Sequence, residues 1–205
     1  TLYGVSAFQV HFGTHHIYTP GDTIDVLVAM NAASVKVNLP AIKPGGMIIA
    51  NIEGFDERNL KLAKYTTNPL DDGSLSGYEV HAIDFHKEIK AALGELDISS
   101  KLIGKTKNIF ALGLTYWLFQ RPLDATIAWI NKKFKGKDDI ILANVHALRA
   151  GWNYAQKNPD FKTQYVIDRS ALSPGRYRNI TGNEAIALGL VVAAKKASMP
   201  LFLGS

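Results

Sequence analysis

Apolar residues along this chain change their period, and the changes divide it. From Ile24 to Met30 they run almost unbroken, from Gly4 to Phe12 and from Tyr78 to Phe85 they alternate with polar ones, and past residue 86 they return every three to four positions. A short continuous run predicts a strand covered on both faces, alternation a strand with one open face, and the 3.6-residue period a helix. The chain is organised around Ile24 to Asn51. Ile24 to Met30 predicts a central strand, ended by Asn31. Ala32 to Leu39 predicts a short helix that Pro40 and Pro44 forbid to continue. Gly45 and Gly46 make a turn, and Met47 to Ala50 predicts a second buried strand, ended by Asn51 as the first is by Asn31.

Gly4 to Phe12 predicts a strand with Val5, Ala7, Gln9 and His11 on one face. A surface helix starts at Phe55 or Asp56, with Leu60 and Ala63 inward. Asn68 to Gly77 is a loop, dense in Asn, Pro, Asp, Gly and Ser, and Tyr78 to Phe85 predicts a third strand nearer a sheet edge. Helices follow at Lys87 to Leu96, interrupted by Gly94, and from caps at Ser99 and Ser100 through Leu118, the latter apolar nearly all round. Gly104 and Gly113 in that helix each cost about 1 kcal/mol relative to alanine, which predicts close backbone packing at both. Two more helices start at Pro122 and at Asp138, with apolar residues at Leu123, Ile127, Ile130 and Phe134 and at Ile141, Val145, Leu148 and Trp152. The helical pattern lapses over 158–179, where Pro159, Pro174 and Gly175 mark a linker and only Gln164 to Ile167 reads as extended. Thr181 caps an alanine-rich amphipathic helix over Gly182 to Ala197, and Leu201 to Leu203 reads as the start of a strand.

The fold class is therefore α/β: a three-layer domain over 1–157 with a largely parallel sheet and a helical C-terminal half. A linker over 158–179 and the first helix and strand of a second α/β domain over 180–205 complete the reading. The chain starts at Thr1, not at a methionine, and stops after that strand, so both ends read as cut.

Composition narrows the chemistry. The 205 residues are 47% hydrophobic and 20% charged, which is the make-up of a folded globular chain. There is no cysteine, so disulfides, thiolate-held zinc and a self-contained iron–sulfur cluster are excluded. The longest apolar stretch, Ile109 to Phe119, is about half of the roughly 20 residues a membrane-spanning helix needs. The net charge of +5 is unevenly spread: residues 51–100 carry 5 basic and 10 acidic groups, residues 101–150 carry 9 and 3, and residues 151–205 carry 7 and 3. A basic back half suits a phosphorylated ligand, an acidic protein or nucleic acid, or is simply a set of solvated helix faces.

Candidate chemistry is sparse. His15 and His16 are adjacent, but no third ligand lies at a metal-like spacing. His81 and His86 have no acid and nucleophile at a recognised spacing and read as satisfied surface or interface histidines. In open α/β sheets ligands bind outside the carboxyl ends of strands, which is where Asn31 and Asn51 fall. Asn108 is the polar residue of an otherwise apolar helix. Each of the three asparagines either meets a ligand or ties a turn or helix to its neighbours. A dehydrogenase nucleotide-binding domain would show G-x-G-x-x-G between a strand and a helix, and none is present. A nucleic-acid-binding module is suggested by the basic back half with Trp129, Trp152 and Tyr154, yet those aromatics sit at or beside core spacing with no recognition motif.

Several longer stretches carry a resemblance: YTPGDTIDVLVAMNAASVKVNL from Tyr18, KPGGMIIAN from Lys43, NPLDDGSLSGY from Asn68, KNIFALGLTYWLFQRPL from Lys107, ANVHALRAGWNY from Ala143 and ITGNEAIALGLVVAAKKASMPLFLGS from Ile180. In number, order and spacing they resemble the 2-oxoacid:ferredoxin oxidoreductases, in the form where a gamma-type domain is fused ahead of a pyrimidine-binding alpha-type domain. The resemblance makes 1–157 the gamma-type domain and 180–205 the start of the thiamine diphosphate pyrimidine-binding domain. It implies a cytoplasmic, multisubunit complex that cleaves a 2-oxoacid, most often 2-oxoglutarate and in related forms pyruvate, on thiamine diphosphate. Electrons pass through iron–sulfur clusters to ferredoxin, and the acyl group goes to coenzyme A. It further implies a thiamine diphosphate-binding beta-type subunit as partner, and no membrane or nucleic acid. Thiamine diphosphate and the clusters would lie on other parts of the complex. The glycine-rich start of the gamma-type domain would precede Thr1 and the thiamine-contacting stretch would follow Ser205, so no catalytic residue of the family is carried over. Coenzyme A is the ligand the resemblance brings to this region, with Asn31, Asn51 and Asn108 on its side.

Overall fold

A computed structural model describes residues 5–94, 98–178 and 180–202. Three parallel strands, β1 (Ile24–Ala29), β2 (Ile42–Asn51) and β3 (Glu79–Ile83), lie in the order β1-β2-β3. The central strand is β2, which corrects the expectation for Ile24 to Met30. Residues 46–51 of β2 are all buried, whereas β1 leaves Asp25 exposed and Ile24, Val26, Leu27 and Val28 half-buried. A continuous apolar run reports that both faces are coated; it is silent on whether both edges are paired. The expected turn at Gly45 and Gly46 is realised inside β2 as a wide bulge. Ile24 pairs with Ile42 and Val26 with Met47, so residues 43–46 loop out, with Gly45 at φ +73°.

Alternation along β2 sends successive side chains to opposite faces, and each face has its own helical layer. Ile48 and Ala50 join Ala29 against α1 (Ala32–Asn38), Phe55, Ala63 and Leu75. Met47 and Ile49 join Ile83 on the other face. There they meet α3 (Phe85–Leu93), α4 (Ser100–Lys105), α5 (Lys107–Leu118) and α7 (Asp138–Lys157). The remaining helices are α2 (Glu57–Leu62), α6 (Asp124–Lys133) and α8 (Gly182–Ala197). The α/β class and the three-layer plan follow.

Several expectations are corrected. Residues 5–12 form no strand: Phe8 is 92% and Val10 61% exposed. Gln9 there donates from its side chain to the Pro20 and Gly21 carbonyls, at 2.8 and 2.9 Å. Alternation yields a strand only where a neighbouring backbone completes its hydrogen bonds. Residues 164–167 form no strand either, although the Tyr165 N–H donates to the Leu118 carbonyl at 2.8 Å. The apolar stretch after Ser99 is two helices, broken at the fully buried Thr106, whose hydroxyl donates to the Ile103 carbonyl at 2.8 Å.

Gly113 packs as expected. A Cβ there would strike the Leu148 carbonyl oxygen, and one on Gly151 would strike that of Phe110, so α5 and α7 touch backbone to backbone. Gly104 does not, since a Cβ there would meet nothing within 4 Å.

The chain divides into two compact units, Thr1–Ser170 and Ala171–Ser205. In the second, a reciprocal capping box opens α8: the Thr181 hydroxyl accepts from the Glu184 N–H at 3.3 Å, and the Glu184 carboxylate accepts from the Thr181 N–H at 2.8 Å. No residue of α8 is buried. Leu201 and Phe202 form no strand, and Leu203 lies outside the described residues. So do Gly4 of the expected first strand and Glu95 and Leu96 of the expected 87–96 helix, which is observed as α3 and ends at Gly94.

Candidate functional site at the carboxyl end of the sheet

The parallel strands deliver their carboxyl ends to one side, and the connections leaving them make the site. Asn31, just past β1, spends its side-chain oxygen on capping α1, accepting from the Ser34 N–H at 2.9 Å and the Ser34 hydroxyl at 2.8 Å. Asp56 caps α2 in the same way through the Asn59 N–H at 2.7 Å, and Asp84 caps α3 through the Lys87 N–H at 2.9 Å. α5 differs: Thr106, at its cap position, makes no side-chain capping bond. α4 ends directly before it, so the carboxyl end of α4 and the amino end of α5 meet at Thr106.

Asn51 ends β2. It is 4% exposed, and its side-chain oxygen is buried with no hydrogen-bond partner among the described residues. Strand alternation from Met47 and Ile49 places it on the sheet face that carries α5. An unmet buried acceptor costs about 1–3 kcal/mol, so this position calls for a donor.

The turn that follows, a 3-10 helix over Ile52–Phe55, links the pieces. A Cβ on Gly54 would strike the Met30 carbonyl oxygen, so the turn lies directly on the start of α1. Glu53 pairs with Lys107, the first residue of α5, at 2.7 Å. The pair is partly exposed and worth at most about 1 kcal/mol in itself, but it fixes the α5 start over the end of β2. Asn108 is exposed on the first turn of α5, next to Lys107, and ties no loop in the way its apolar setting suggests. The strand ends thus gather Asn31, Asn51, Lys107 and Asn108. Asn31 is engaged as a cap, and among the described residues the Asn51 side-chain oxygen is an open acceptor and the Asn108 amide on the first turn of α5 makes no hydrogen bond.

Sequence reasoning found the three asparagines but neither Lys107 nor its partner. Glu53 lies 54 positions away, and no local pattern announces such a pair. The period-two count through Met47, Ile49 and Asn51 was the signal available for placing Asn51 on the helical face.

The histidines do other work. His81 is 7% exposed, stacks on Phe161 at 4.0 Å between ring centroids and contacts Glu79 through Nε2 at 2.8 Å. His11 contacts the Thr19 carbonyl through Nδ1 at 2.8 Å. Among the described residues no three His, Cys, Asp or Glu side chains converge as a metal site would need. Likewise, no described helix is long and apolar enough to cross a membrane.

Residues 3–154 match the family model for pyruvate ferredoxin/flavodoxin oxidoreductase. Over 205 residues, all of this chain, the sequence is 45% identical to the 2-oxoglutarate oxidoreductase subunit KorA of Mycobacterium tuberculosis and covers 31% of that protein. It is 21% identical over 194 residues to subunit alpha of 2-oxoacid:ferredoxin oxidoreductase 2 from Aeropyrum pernix, an alignment that takes in 82% of this chain and 29% of that one. Among solved structures, the 2-oxoglutarate:ferredoxin oxidoreductase of Magnetococcus marinus, with 2-oxoglutarate, coenzyme A and succinyl-CoA bound, shares the fold. Its TM-score is 0.57 at 22% identity, over 87% of this chain and 27% of that one. The chain spans about a third of the length of the curated relatives it matches.

Proposed function

The chain belongs to the pyruvate ferredoxin/flavodoxin oxidoreductase family, and from that premise we propose that it is the gamma-type part of a subunit in a coenzyme A-dependent 2-oxoacid:ferredoxin oxidoreductase. The substrate in this reading is 2-oxoglutarate. Residues 1–157 are the gamma-type domain, 158–179 a linker, and 180–205 the start of the pyrimidine-binding domain. The observation that carries the reading is identity of 45% along the whole chain to a 2-oxoglutarate oxidoreductase subunit.

In the family, thiamine diphosphate supplies the carbanion chemistry of decarboxylation. With no cysteine the chain cannot itself hold a thiolate-bound cluster. The beta-type subunit and ferredoxin supply those functions in this reading, in a cytoplasmic assembly. What the chain's own residues suit is the coenzyme A side. In this reading Lys107, steadied by Glu53, and the Asn108 amide on the first turn of α5 meet a phosphate, and the Asn51 acceptor takes a hydrogen bond from an N–H of the ligand or an O–H of a water beneath it.

In the assembled complex, Asn51→Ala with Asn108→Ala is expected to weaken coenzyme A binding about tenfold, as the loss of two hydrogen bonds implies, and raised salt to weaken it further. Asn31→Ala is expected to cost about 1 kcal/mol of stability through its cap, with little change in coenzyme A affinity. If the Asn51/Asn108 variant folds and binds coenzyme A as tightly as wild type, the strand-end site is wrong. The isolated chain is expected to show no 2-oxoglutarate-dependent reduction of a viologen dye.

A further inference from the structure

α7 is long enough to present two stripes. Ala143, Ala147, Leu148, Gly151 and Ala155 are buried within the unit. The stripe one-third of a turn away walls a groove of about 620 Å³ between α7 and α3. Ala91 and Ala92 of α3 and Ala150 of α7 line it with side chains too small to obstruct an approaching backbone. Along the α7 wall stand Arg149, Asn153 and Lys157, four residues apart. At a rise of 1.5 Å per residue they repeat about every 6 Å, one per turn. All three are exposed, and neither Arg149 nor Lys157 makes an ion pair among the described residues. His146 adds a fourth polar group one turn earlier. The carboxylate of the groove is Glu88, half-buried on the α3 side next to Tyr154.

We infer that this groove seats an acidic helix of a protein partner, with carboxylates at four-residue spacing meeting Arg149 and Lys157 while its backbone lies along the alanine-lined floor. A second helix carrying Glu or Asp at i, i+4 and i+8 repeats at the same 6 Å as the donors on α7, so register and charge agree at once. Alanine at the contact admits helix axes at the close end of the 8–10 Å range. A small anion uses one or two of these donors and leaves the rest of a row about 16 Å long, from His146 to Lys157, unmet. The inference is independent of the strand-end site, since no residue is shared.

The test uses the full 205-residue chain and a designed 18-residue helical peptide with Glu at every fourth position of one face, followed by fluorescence anisotropy. A Gln-for-Glu peptide and inorganic pyrophosphate serve as comparison probes. The Glu peptide is expected to bind, with affinity falling as salt rises, and the Gln peptide to bind at least tenfold more weakly. Arg149→Glu with Lys157→Glu is expected to abolish binding with an unchanged circular dichroism spectrum, because both side chains are exposed. Lys132→Glu with Lys137→Glu, which makes the same charge change at the end of α6 and just before α7, is expected to leave binding intact. The inference is overturned by equal binding of the Gln peptide, by binding that survives at Arg149/Lys157, or by loss at Lys132/Lys137, which would mean attraction to net charge alone. Pyrophosphate binding that displaces the peptide would reassign the groove to small anions.

Discussion

α5 and α8 read alike in sequence, each a largely apolar helix with a glycine in its interior, yet they are used in opposite ways. In α5, Gly113 lies against the Leu148 carbonyl of α7, while Gly151 of α7 lies against the Phe110 carbonyl of α5. Five of the twelve α5 residues are buried. In α8 none is, and a Cβ on Gly189 would meet nothing within 4 Å. Ile186 is 64% and Leu188 55% exposed. The pair shows that glycine in an apolar helix carries no meaning of its own. It marks a close contact only where a second backbone arrives, and in its absence it is simply a weak helix former.

The sharpest way to break this comparison is Gly151→Ala or Gly113→Ala. Each added methyl must displace backbone, so each is expected to cost about 3 kcal/mol and to lower the urea midpoint at unchanged m. A loss under about 0.5 kcal/mol would show that the two helices are not interlocked. In α8 the same substitution should act in the other direction: Gly189→Ala is expected to favour the helix by about 1 kcal/mol, and Thr181→Ala to disfavour it by about 1 kcal/mol through the lost cap. Both are read as slower or faster amide exchange across 183–196 with the urea transition of the rest of the chain unmoved. Gly189→Ala that slows nothing, or destabilises, would mean that α8 has a close partner.

The smallest effect is expected in alkali. Burial raises the phenol pKa of Tyr65, Tyr154 and Tyr165, with Asp72, Glu88 and Asp25 respectively adding like-charge repulsion. Raised folded values mean that the folded chain holds these protons longer than the unfolded one. Their contribution is complete below the unfolded value near pH 10 and is lost progressively above it. Absorbance at 295 nm should show three phenols ionising late, returning to ordinary values in denaturant. All three belong to the packed first unit, and α8, without tyrosine, contributes nothing to the change.

How much of this was legible follows the same division. Elements set by local rules came through: the strand at 47–50, the cap at Thr181 and the loop at 68–77. Features that need a partner did not. Residues 5–12 alternate yet pair with no described strand, Ile24 to Ala29 lies at the side of the described sheet and not its centre, and Gly104 is open where Gly113 is tight. At the candidate site, the position of Asn31 and Asn51 at strand ends was legible from turn chemistry. The missing hydrogen bond of Asn51 and the Glu53–Lys107 pair were not, because both are set by residues distant in the chain.

The side of β1 that no described strand pairs with bears on solubility. Among the described residues β1 pairs with β2 alone, and a strand edge that stays unpaired is a template on which another extended chain can stack; Ile24, Val26, Leu27, Val28 and Ala29 are the residue types that sustain such stacking. Asp25 is the one charge in that strand, held by Lys43 at 2.6 Å on the bulge of β2. That exposed ion pair contributes little to folding, but a charge in the middle of such a strand is the kind of residue that opposes edge-to-edge stacking.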